Sequence, residues 1–326
     1  MQSIKTIFLF TLSLGILWSS HVCGALSWQT NYPKALTQAK KEERSLLIFF
    51  SGSDWSGTGM RMKKEILDSP DFAKALGNQF VFVEVDFPKH SELPPKRAHQ
   101  NEKLKNRFQI EEYPSLVLID SSEREILRLG YLPESGAQLG EDLIRIVEQD
   151  RKLCKGLEKL PQEVDKLKEL YQYALELTRP DALDQVLQVG CETGDRFFLL
   201  ERYRKYVEDG MMYCQEAKKI RKSLLEEESH DTYFTVALID FQDLSKRTSK
   251  LESRDQAVEP LEEYLSHFKE TDRENVWRIE MMMAQFFLET DDWNRALEHA
   301  ETAFESAPDA MKPDILHSLT YIREHV

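Results

Sequence analysis

Cysteine is scarce in this sequence, with four residues in 326, at positions 23, 154, 191 and 214. No two of them form a Cys-x-x-Cys pair, the spacing at which one thiol attacks a disulfide and the second resolves the intermediate. The chain therefore lacks the usual dithiol centre. His90 and His99 lie in a proline-rich loop at irregular spacing, so we predict no metal site and no cofactor.

Long apolar runs are missing after residue 25, so no integral membrane segment is expected in the mature chain. The start of the chain differs from the rest. Lys5 precedes an apolar stretch from Ile7 to Trp18, and small residues follow it. This pattern is typical of a secretory signal peptide, which we assign to residues 1–25. Lipid anchoring at Cys23 and a retained membrane anchor are the alternatives.

Positive charge is short in the second half of the chain. Residues 151–326 have a net charge of −12, against −3 for residues 26–150. Nucleic acid and anionic lipid would both be repelled, so neither is expected as a ligand. A hydrophobic content of 41% and a charged content of 31% indicate a water-soluble globular protein.

The mature chain changes character near residue 154. Residues 26–153 alternate between helical and strand patterns in the order α-β-α-β-α-β-β-α. Residues 154–326 contain no convincing strand, and helical stripes recur between proline and glycine breakers. We therefore predict an α/β domain over 26–153 and an all-α helical-repeat domain over 154–326. The predicted helices of the second domain are 164–177, 182–191, 197–207, 214–225, 233–244, 257–268, 276–287, 293–304 and 315–322.

The last complete helix pair is similar to a tetratricopeptide repeat. The small, aromatic and breaker positions of that motif are matched by Ala284, Phe287, Ala296, Ala303 and Pro308. The match covers about 35 residues, one repeat length, and is not cleanly repeated upstream. The second domain is therefore predicted to be a degenerate tetratricopeptide-like array.

The stretch from Ser51 to Met60 joins an apolar strand to a helix. Residues 46–50 are apolar without alternation, which predicts a central strand covered on both faces. Ser56 is a good N-cap for the helix that follows. The candidate site in this loop consists of Trp55, Ser56, Gly57, Thr58 and Gly59.

Residues 28–149 resemble a thioredoxin-fold domain, and most closely the exported bacterial thioredoxin-like branch. The landmarks of that branch appear in order as Trp28, Ala35 to Lys41, Leu46 to Phe50, Gly52-Ser-Asp-Trp55, Val85-Asp-Phe-Pro88 and Tyr113-Pro-Ser115. The resemblance implies a thioredoxin fold and the bacterial periplasm as location, with secretion as the alternative. It covers under half of the chain and says nothing about the helical part.

The resemblance fails at the two cysteine positions of the family, which fall on Ser56 and Gly59. A serine hydroxyl stays protonated near neutral pH and glycine has no side chain, so dithiol chemistry is not expected here. The buried acid of the family would fall at Phe50, which cannot titrate. Ser56 is interpreted as a helix cap and not as a nucleophile, because no histidine is placed convincingly nearby. We predict no catalytic residue in this loop.

Pro114 resembles the cis-proline that lies beside the active loop in this family. The resemblance implies that Tyr113, Pro114 and Ser115 form a peptide-docking edge, which would need no cysteine. The alternative is a turn that only shapes the fold.

Three cysteines remain after the predicted signal peptide. One interpretation treats Cys154, Cys191 and Cys214 as buried helical residues that act as small apolar side chains. The other pairs Cys191 with Cys214 in a disulfide, which an oxidising compartment permits.

These patterns support three hypotheses about function. In the leading one, an exported thioredoxin-like protein without a redox centre binds extended or unfolded polypeptide, or another envelope protein, in a chaperone-like or assembly role. In the second, the protein is a thiol-disulfide oxidoreductase or disulfide isomerase relative that uses a cysteine elsewhere, such as Cys154. In the third, the protein is a structural scaffold and the helical domain does the work.

Overall fold

The computed structural model describes residues 26–226, 229–247 and 254–325. The predicted signal peptide, with Cys23, lies outside these residues. No helix in the described part of the chain is both long enough and apolar enough to cross a bilayer.

The described chain forms two compact units. The first ends at Lys155 and also takes in Glu176–Thr178, while the second begins at Gly156. The domain boundary predicted between 153 and 154 falls inside a helix that continues to Glu158. The change of unit therefore occurs within a continuous helix, and the boundary predicted from the change of pattern near residue 154 is not a break in secondary structure.

The first unit is an α/β domain, and its predicted order of elements is confirmed, apart from a short first strand and a π-helical segment that the sequence did not predict. Its elements are β1 (Trp28–Gln29), α1 (Tyr32–Glu42), β2 (Ser45–Ser51), α2 (Gly57–Arg61), the π-helical segment (Met62–Leu67), α3 (Pro70–Leu76), β3 (Phe80–Asp86), α4 (Pro95–Arg107), β4 (Ser115–Ile119), β5 (Glu125–Leu129) and α5 (Gly136–Glu158).

One five-stranded sheet forms the centre of this unit, in the order β1-β3-β2-β4-β5. β1, β3 and β2 are parallel, and β4 and β5 continue the sheet antiparallel. Every residue of β2 is buried, as its unbroken apolar run predicted. The carboxyl ends of β2 and β3 meet at Ser51 and Asp86, so the loop after β2 lies at that edge.

Alternate residues of β2 contribute to two different cores. Leu46, Ile48 and Phe50 pack in a cluster that includes residues of α1 and α4. Leu47 and Phe49 pack in a second cluster with the π-helical segment, α3 and α5. Because the strand pleat directs successive side chains to opposite faces, Phe50 and Phe49 lie on different sides of the sheet.

The second unit is all-helical within the described residues, and each of its predicted helices is present. They are α6 (Val164–Glu176), α7 (Pro180–Glu192), α8 (Arg196–Glu208), α9 (Gln215–Leu225), α10 (His230–Lys246), α11 (Asp255–Phe268), α12 (Val276–Glu289), α13 (Trp293–Ser306) and α14 (Lys312–Arg323). The small residues Ala284, Ala296 and Ala303 are buried, as is Phe287. An α/β domain followed by a long helical region is therefore the fold of the chain.

Gly190 allows α7 and α8 to approach closely, and its replacement should be destabilising. A Cβ at residue 190 would lie 2.3 Å from the Phe198 ring, which is fully buried. We expect Gly190→Ala to lower the free energy of unfolding of the helical unit by about 2 kcal/mol, as overpacked core positions do. Urea unfolding followed by far-UV circular dichroism measures this.

Gly130→Ala, in the α/β unit, is the control and should leave the free energy of unfolding of the helical unit unchanged, because a Cβ there meets nothing within 4 Å. Equal destabilisation by the two alanines would contradict the close packing of α7 on Phe198.

Candidate functional site

The loop after β2 is closed by backbone hydrogen bonds and by the ring of Trp55. The amides of Trp55 and Ser56 both donate to the Gly52 carbonyl, at 3.2 and 2.9 Å. The indole lies across Gly52, where an added Cβ would be 2.4 Å from the ring. Its Nε1 donates to the Phe87 carbonyl at 2.7 Å, which ties this loop to the loop after β3. Gly52 is therefore required by the position of the indole.

Aromatic and cationic contacts complete the setting of Trp55. Its ring meets Tyr113 edge to face, with centroids 5.6 Å apart, and Lys89 Nζ lies 3.8 Å from its centroid on a ring face. Tyr113 also packs on Phe87, at 5.3 Å. The three rings form a half-buried aromatic group beside the loop.

Ser56 caps α2, as predicted, and is only 5% exposed. Its Oγ accepts from the Gly59 amide at 3.2 Å and donates to the Tyr113 carbonyl at 3.3 Å. Both contacts of the hydroxyl are therefore with backbone groups. A nucleophilic serine needs a base as its hydrogen-bond partner, so this geometry is that of a helix cap.

Gly59 lies one helical turn from Ser56. An ideal Cβ on Gly59 would be 3.3 Å from the Cβ of Ser56 and 3.8 Å from the Cβ of Pro114. The Cβ atoms of disulfide-bonded residues are ~3.5–4.5 Å apart. The backbone thus holds positions 56 and 59 close to the spacing of a bonded pair, although neither residue carries sulfur.

The proposed docking edge is less open than the sequence implied. The Tyr113–Pro114 peptide bond is cis. The side chains of Pro114 and Ser115 are buried, and Ser115 Oγ donates to the Glu112 carbonyl at 2.7 Å. Tyr113 is half-buried. A ligand at this edge would therefore contact Tyr113 and backbone, not the side chains of its two neighbours.

The loop also presents exposed groups beside Tyr113. Gly57 and Thr58 are exposed, and the apolar side chain of Met60 is 46% exposed. Together with the half-buried Trp55 and Tyr113 they form what we call the loop surface: Trp55, Gly57, Thr58, Met60 and Tyr113.

Glu84 is a titratable residue near the loop that sequence reasoning missed. It lines a cavity of about 340 Å³ together with Phe49, Ser51, Gly59 and Lys63. Phe50, where the family's acid was expected, is fully buried on the other face of the sheet. Alternate residues of a strand lie on the same face of the sheet, so Glu84 lies on the face of β3 that carries the buried Phe80 and Phe82. That spacing is the signal that could have located this acid.

The surroundings of Glu84 favour its neutral form. Burial raises the pKa of the Glu84 carboxyl above its usual value, Asp86 and Asp68 act in the same direction, and Lys63 and the Ser51 hydroxyl oppose them. Lys63 Nζ lies 3.7 Å from Glu84 Oε2 but only 2.9 Å from Asp68 Oδ1. One ammonium group is therefore shared between two carboxylates.

We expect Glu84→Gln to stabilise the protein near neutral pH. Because burial raises the folded-state pKa of Glu84 above its unfolded-state value, its contribution to stability is fully present in acid, below the unfolded-state pKa, and is lost as the pH rises through the folded pKa. The variant should have the higher Tm at about pH 7, and the two curves should converge in acid. Thermal unfolding across this pH range measures the difference.

Glu65→Gln is the control for this prediction, because Glu65 is an exposed carboxylate of the π-helical segment that carries Lys63. A Glu84→Gln protein that is less stable than the native chain near neutral pH would contradict the prediction.

Cys154 lies away from the loop. Its Sγ is 3.5 Å from Arg124 Nη2, and Arg124 forms a two-fold ion pair with Asp150. Arg124 follows the turn at the far end of β4, whereas Pro114 precedes the start of that strand. Five strand residues at ~3.3 Å each separate the two ends by roughly 16 Å.

One of the two interpretations pairs Cys191 with Cys214, and the structure shows no disulfide between them. Both are free thiols, as is Cys154. Cys191 Sγ contacts the Phe198 carbonyl at 3.4 Å, and burial raises its pKa. Cys214 instead caps α9, its sulfur accepting from the Ala217 amide at 3.3 Å. Cys191 thus contacts the neighbouring helix α8, and Cys214 contacts the first turn of its own helix α9.

No group of three or more metal-ligating side chains occurs in the part of the chain that the structure describes. The loop that carries His90 is organised by Asp54, which accepts from the amides of Lys89 and His90 at 2.8 and 2.7 Å.

Comparison with known proteins agrees with this fold. Residues 32–141 match the family model of the thioredoxin-like domain. Thioredoxin-related protein DsbJ of Chlamydia pneumoniae is 42% identical over 306 residues, which cover 92% of this chain and 88% of DsbJ. The α/β unit is therefore a thioredoxin-like domain. Because the match to DsbJ also runs through the helical region, the whole chain belongs to the family of thioredoxin-related DsbJ proteins.

Two further similarities involve the first unit. Disulfide bond reductase DsbH of Chlamydia pneumoniae is 34% identical over 112 residues, which cover 34% of this chain and 67% of DsbH. A solved structure of DsbH oxidoreductase is 30% identical, covers 38% of this chain and 86% of that chain, and superposes with a TM-score of 0.37.

Proposed function

We propose that this protein binds extended or unfolded polypeptide at the loop surface without exchanging disulfides itself. The observation that carries the proposal is the state of positions 56 and 59. Ser56 is buried and bonded to two backbone groups, and Gly59 stands where the family's second thiol would be. The frame of a thioredoxin-like site is present, and the sulfur atoms that its redox chemistry requires are not.

The loop surface supports binding on chemical grounds. Met60 offers an exposed apolar side chain, and the neighbouring aromatic rings of Trp55 and Tyr113 are half-exposed. Aromatic and methionine side chains are enriched at protein interfaces. Thr58 and the backbone at Gly57 offer polar groups to an extended chain. A polypeptide, or a segment of another envelope protein, matches this mixture better than a small metabolite does.

Export and the helical unit belong to the same proposal. Residues 1–25 act as a signal peptide, which places the mature chain in the bacterial periplasm. The helical unit is a degenerate tetratricopeptide-like array that gives the protein a second protein-binding element. The match to thioredoxin-related DsbJ supports the inclusion of the helical unit in the proposal, because it runs through the helical region.

A second candidate function is thiol-disulfide exchange by a cysteine outside the loop, and the name of the relative DsbH, a disulfide bond reductase, favours it. Cys154 is the candidate nucleophile. Its position beside Arg124, roughly 16 Å along β4 from Pro114, separates it from the loop surface. The described residues offer it no resolving thiol in bonding contact.

Two assays on the full mature chain test the proposal together. Reduced, carboxamidomethylated α-lactalbumin, which stays unfolded and has no thiol, should bind saturably by fluorescence anisotropy. Insulin reduction by dithiothreitol should run no faster with the protein than without it. Turnover that disappears in Cys154→Ser would establish the second candidate instead, and absence of binding would refute the first.

A further inference from the structure

The cavity that contains Glu84 lies directly beside the loop surface. Met60 and Gly59 form part of its wall, Phe49 and Ser51 contribute from β2, and Lys63 contributes from the π-helical segment. Gly59 also adjoins Pro114, since an added Cβ would lie 3.8 Å from that proline. One glycine therefore separates the proposed docking edge from the cavity, and no side chain at position 59 fills the space.

Most of the charge in this cavity is already engaged, apart from Glu84 and the exposed Lys64. Asp86, next to the cavity, accepts from Ser51 Oγ at 2.9 Å and from the Ser53 amide at 2.8 Å. Lys63 is held by Asp68 at 2.9 Å and lies 4.1 Å from the Trp28 ring centroid, which leaves it 3.7 Å from Glu84. The Ser51 hydroxyl is 3.4 Å from Glu84, at the limit of a hydrogen bond. Glu84 is thus the carboxylate with the weakest partners.

Apart from Ser53 and Lys64, the rest of the wall is apolar. Phe49 is fully buried at its base, and the thioether side chain of Met60 lies at its rim. A side chain with an aliphatic stem and a cationic tip suits this combination, because the stem can lie along apolar surface while the tip meets a carboxylate. The volume of about 340 Å³ has room for one long side chain.

We propose that this cavity binds a lysine or arginine side chain of the polypeptide on the loop surface, with the cation paired to Glu84. The inference rests on the proposed function, since it names the side chain that the bound polypeptide would place there. The ligand's cation would give Glu84 a closer partner than Lys63, whose ammonium group is held mainly by Asp68. A partly buried ion pair of this kind contributes to the choice of ligand more than to affinity in general.

Short peptides that differ in one central residue test the inference. Lysine and norleucine share the same stem, and only lysine has the charge. By isothermal titration calorimetry with the full mature chain, we expect the lysine peptide to bind about tenfold more tightly than the norleucine peptide. A peptide with glutamate at that position should bind less tightly than either. Raising NaCl from about 50 mM to about 1 M should reduce the preference for lysine.

Glu84→Gln should bring the lysine and norleucine peptides to within about twofold of each other, mainly by weakening binding of the lysine peptide. Glu65→Gln, which removes an exposed carboxylate outside the cavity, should keep the preference. Equal affinities on the native chain, or a preference that survives Glu84→Gln, would overturn the inference. Norleucine binding would then leave the proposed function standing, whereas failure of every peptide to bind would refute both.

Discussion

The double variant Ser56→Cys/Gly59→Cys should form an internal disulfide and reduce insulin at least about tenfold faster than the native chain, which should give no rate above dithiothreitol alone. The geometry of the loop is the reason. The Cβ atoms at these positions lie 3.3 Å apart when a Cβ is built on Gly59, close to the spacing of a bonded pair. Position 56 begins a helix, where a thiolate is stabilised.

The protein itself shows that cysteine can replace serine at such a cap. Cys214 caps α9 by accepting from the amide three residues on, at 3.3 Å, and Ser56 accepts from Gly59 in the same way. Ser56→Cys should therefore fold. We expect the single variant to form mixed disulfides and to turn over poorly, because it has no resolving thiol.

Titration with Ellman's reagent and mass spectrometry of the oxidised double variant would show the new bridge. A folded double variant whose two new thiols never pair would contradict the account of the loop as a thioredoxin-like frame without sulfur. Activity of the native chain equal to that of the variant would contradict the account of its missing chemistry.

Met60→Glu should weaken binding of unfolded, thiol-blocked α-lactalbumin at least about tenfold, the effect of removing a well-buried interface side chain. Met60 is the most exposed large apolar residue of the loop surface, at 46%. A glutamate there would replace apolar contact with a charge that must be desolvated on binding. Fluorescence anisotropy gives the dissociation constants.

Met211→Glu is the matched control, since Met211 is 44% exposed and belongs to the helical unit. Its affinity should stay within about twofold of native. Tyr321→Glu examines the scaffold hypothesis, because Tyr321 lines a groove of the helical unit with Met281 and Leu288. Loss of binding in Tyr321→Glu but not in Met60→Glu would assign the interaction to the helices.

Strong periodic patterns in the sequence predicted the elements that the structure contains. The apolar run of β2 became a strand buried on both faces, and the nine helical stripes after residue 160 became α6 to α14. Ser56 became a helix cap because its side chain reaches the Gly59 amide. These features depend on local sequence and on burial of one regular face of a helix or strand. The spacing of apolar residues in the sequence indicates that face directly.

Features set by tertiary contacts could not be predicted in the same way. β1 has two residues, too few to show a period, and exists because it pairs with β3. The π-helical segment Met62–Leu67 has no composition signal of its own. The number of cysteines and an oxidising compartment permit a bridge between Cys191 and Cys214, but they do not determine which groups each thiol contacts. Those contacts depend on helix packing.

In the candidate site, too, the sequence predicts the features that depend on local residues but not those that depend on tertiary contacts. The sequence alone establishes that positions 56 and 59 lack sulfur. The family resemblance places a nearby acid at Phe50 on β2, whereas the acid in the structure is Glu84 on β3. In the pairing of β2 with β3, Glu84 lies beside Phe49. Glu84 and Phe50 therefore lie on opposite faces of the sheet. Burial of Pro114 and Ser115 likewise depends on tertiary packing, which brings Gly59 close to Pro114.

Site-specific photo-crosslinking tests the central claim most directly. A benzophenone amino acid at Thr58, in the full mature chain, should capture unfolded, thiol-blocked α-lactalbumin on irradiation. The same group at Tyr213, which is 63% exposed in the helical unit, should capture little. Capture at position 58 with a probe that has no thiol is the result predicted for a binding surface without redox chemistry. Capture at position 213 alone, or at neither position, would contradict it.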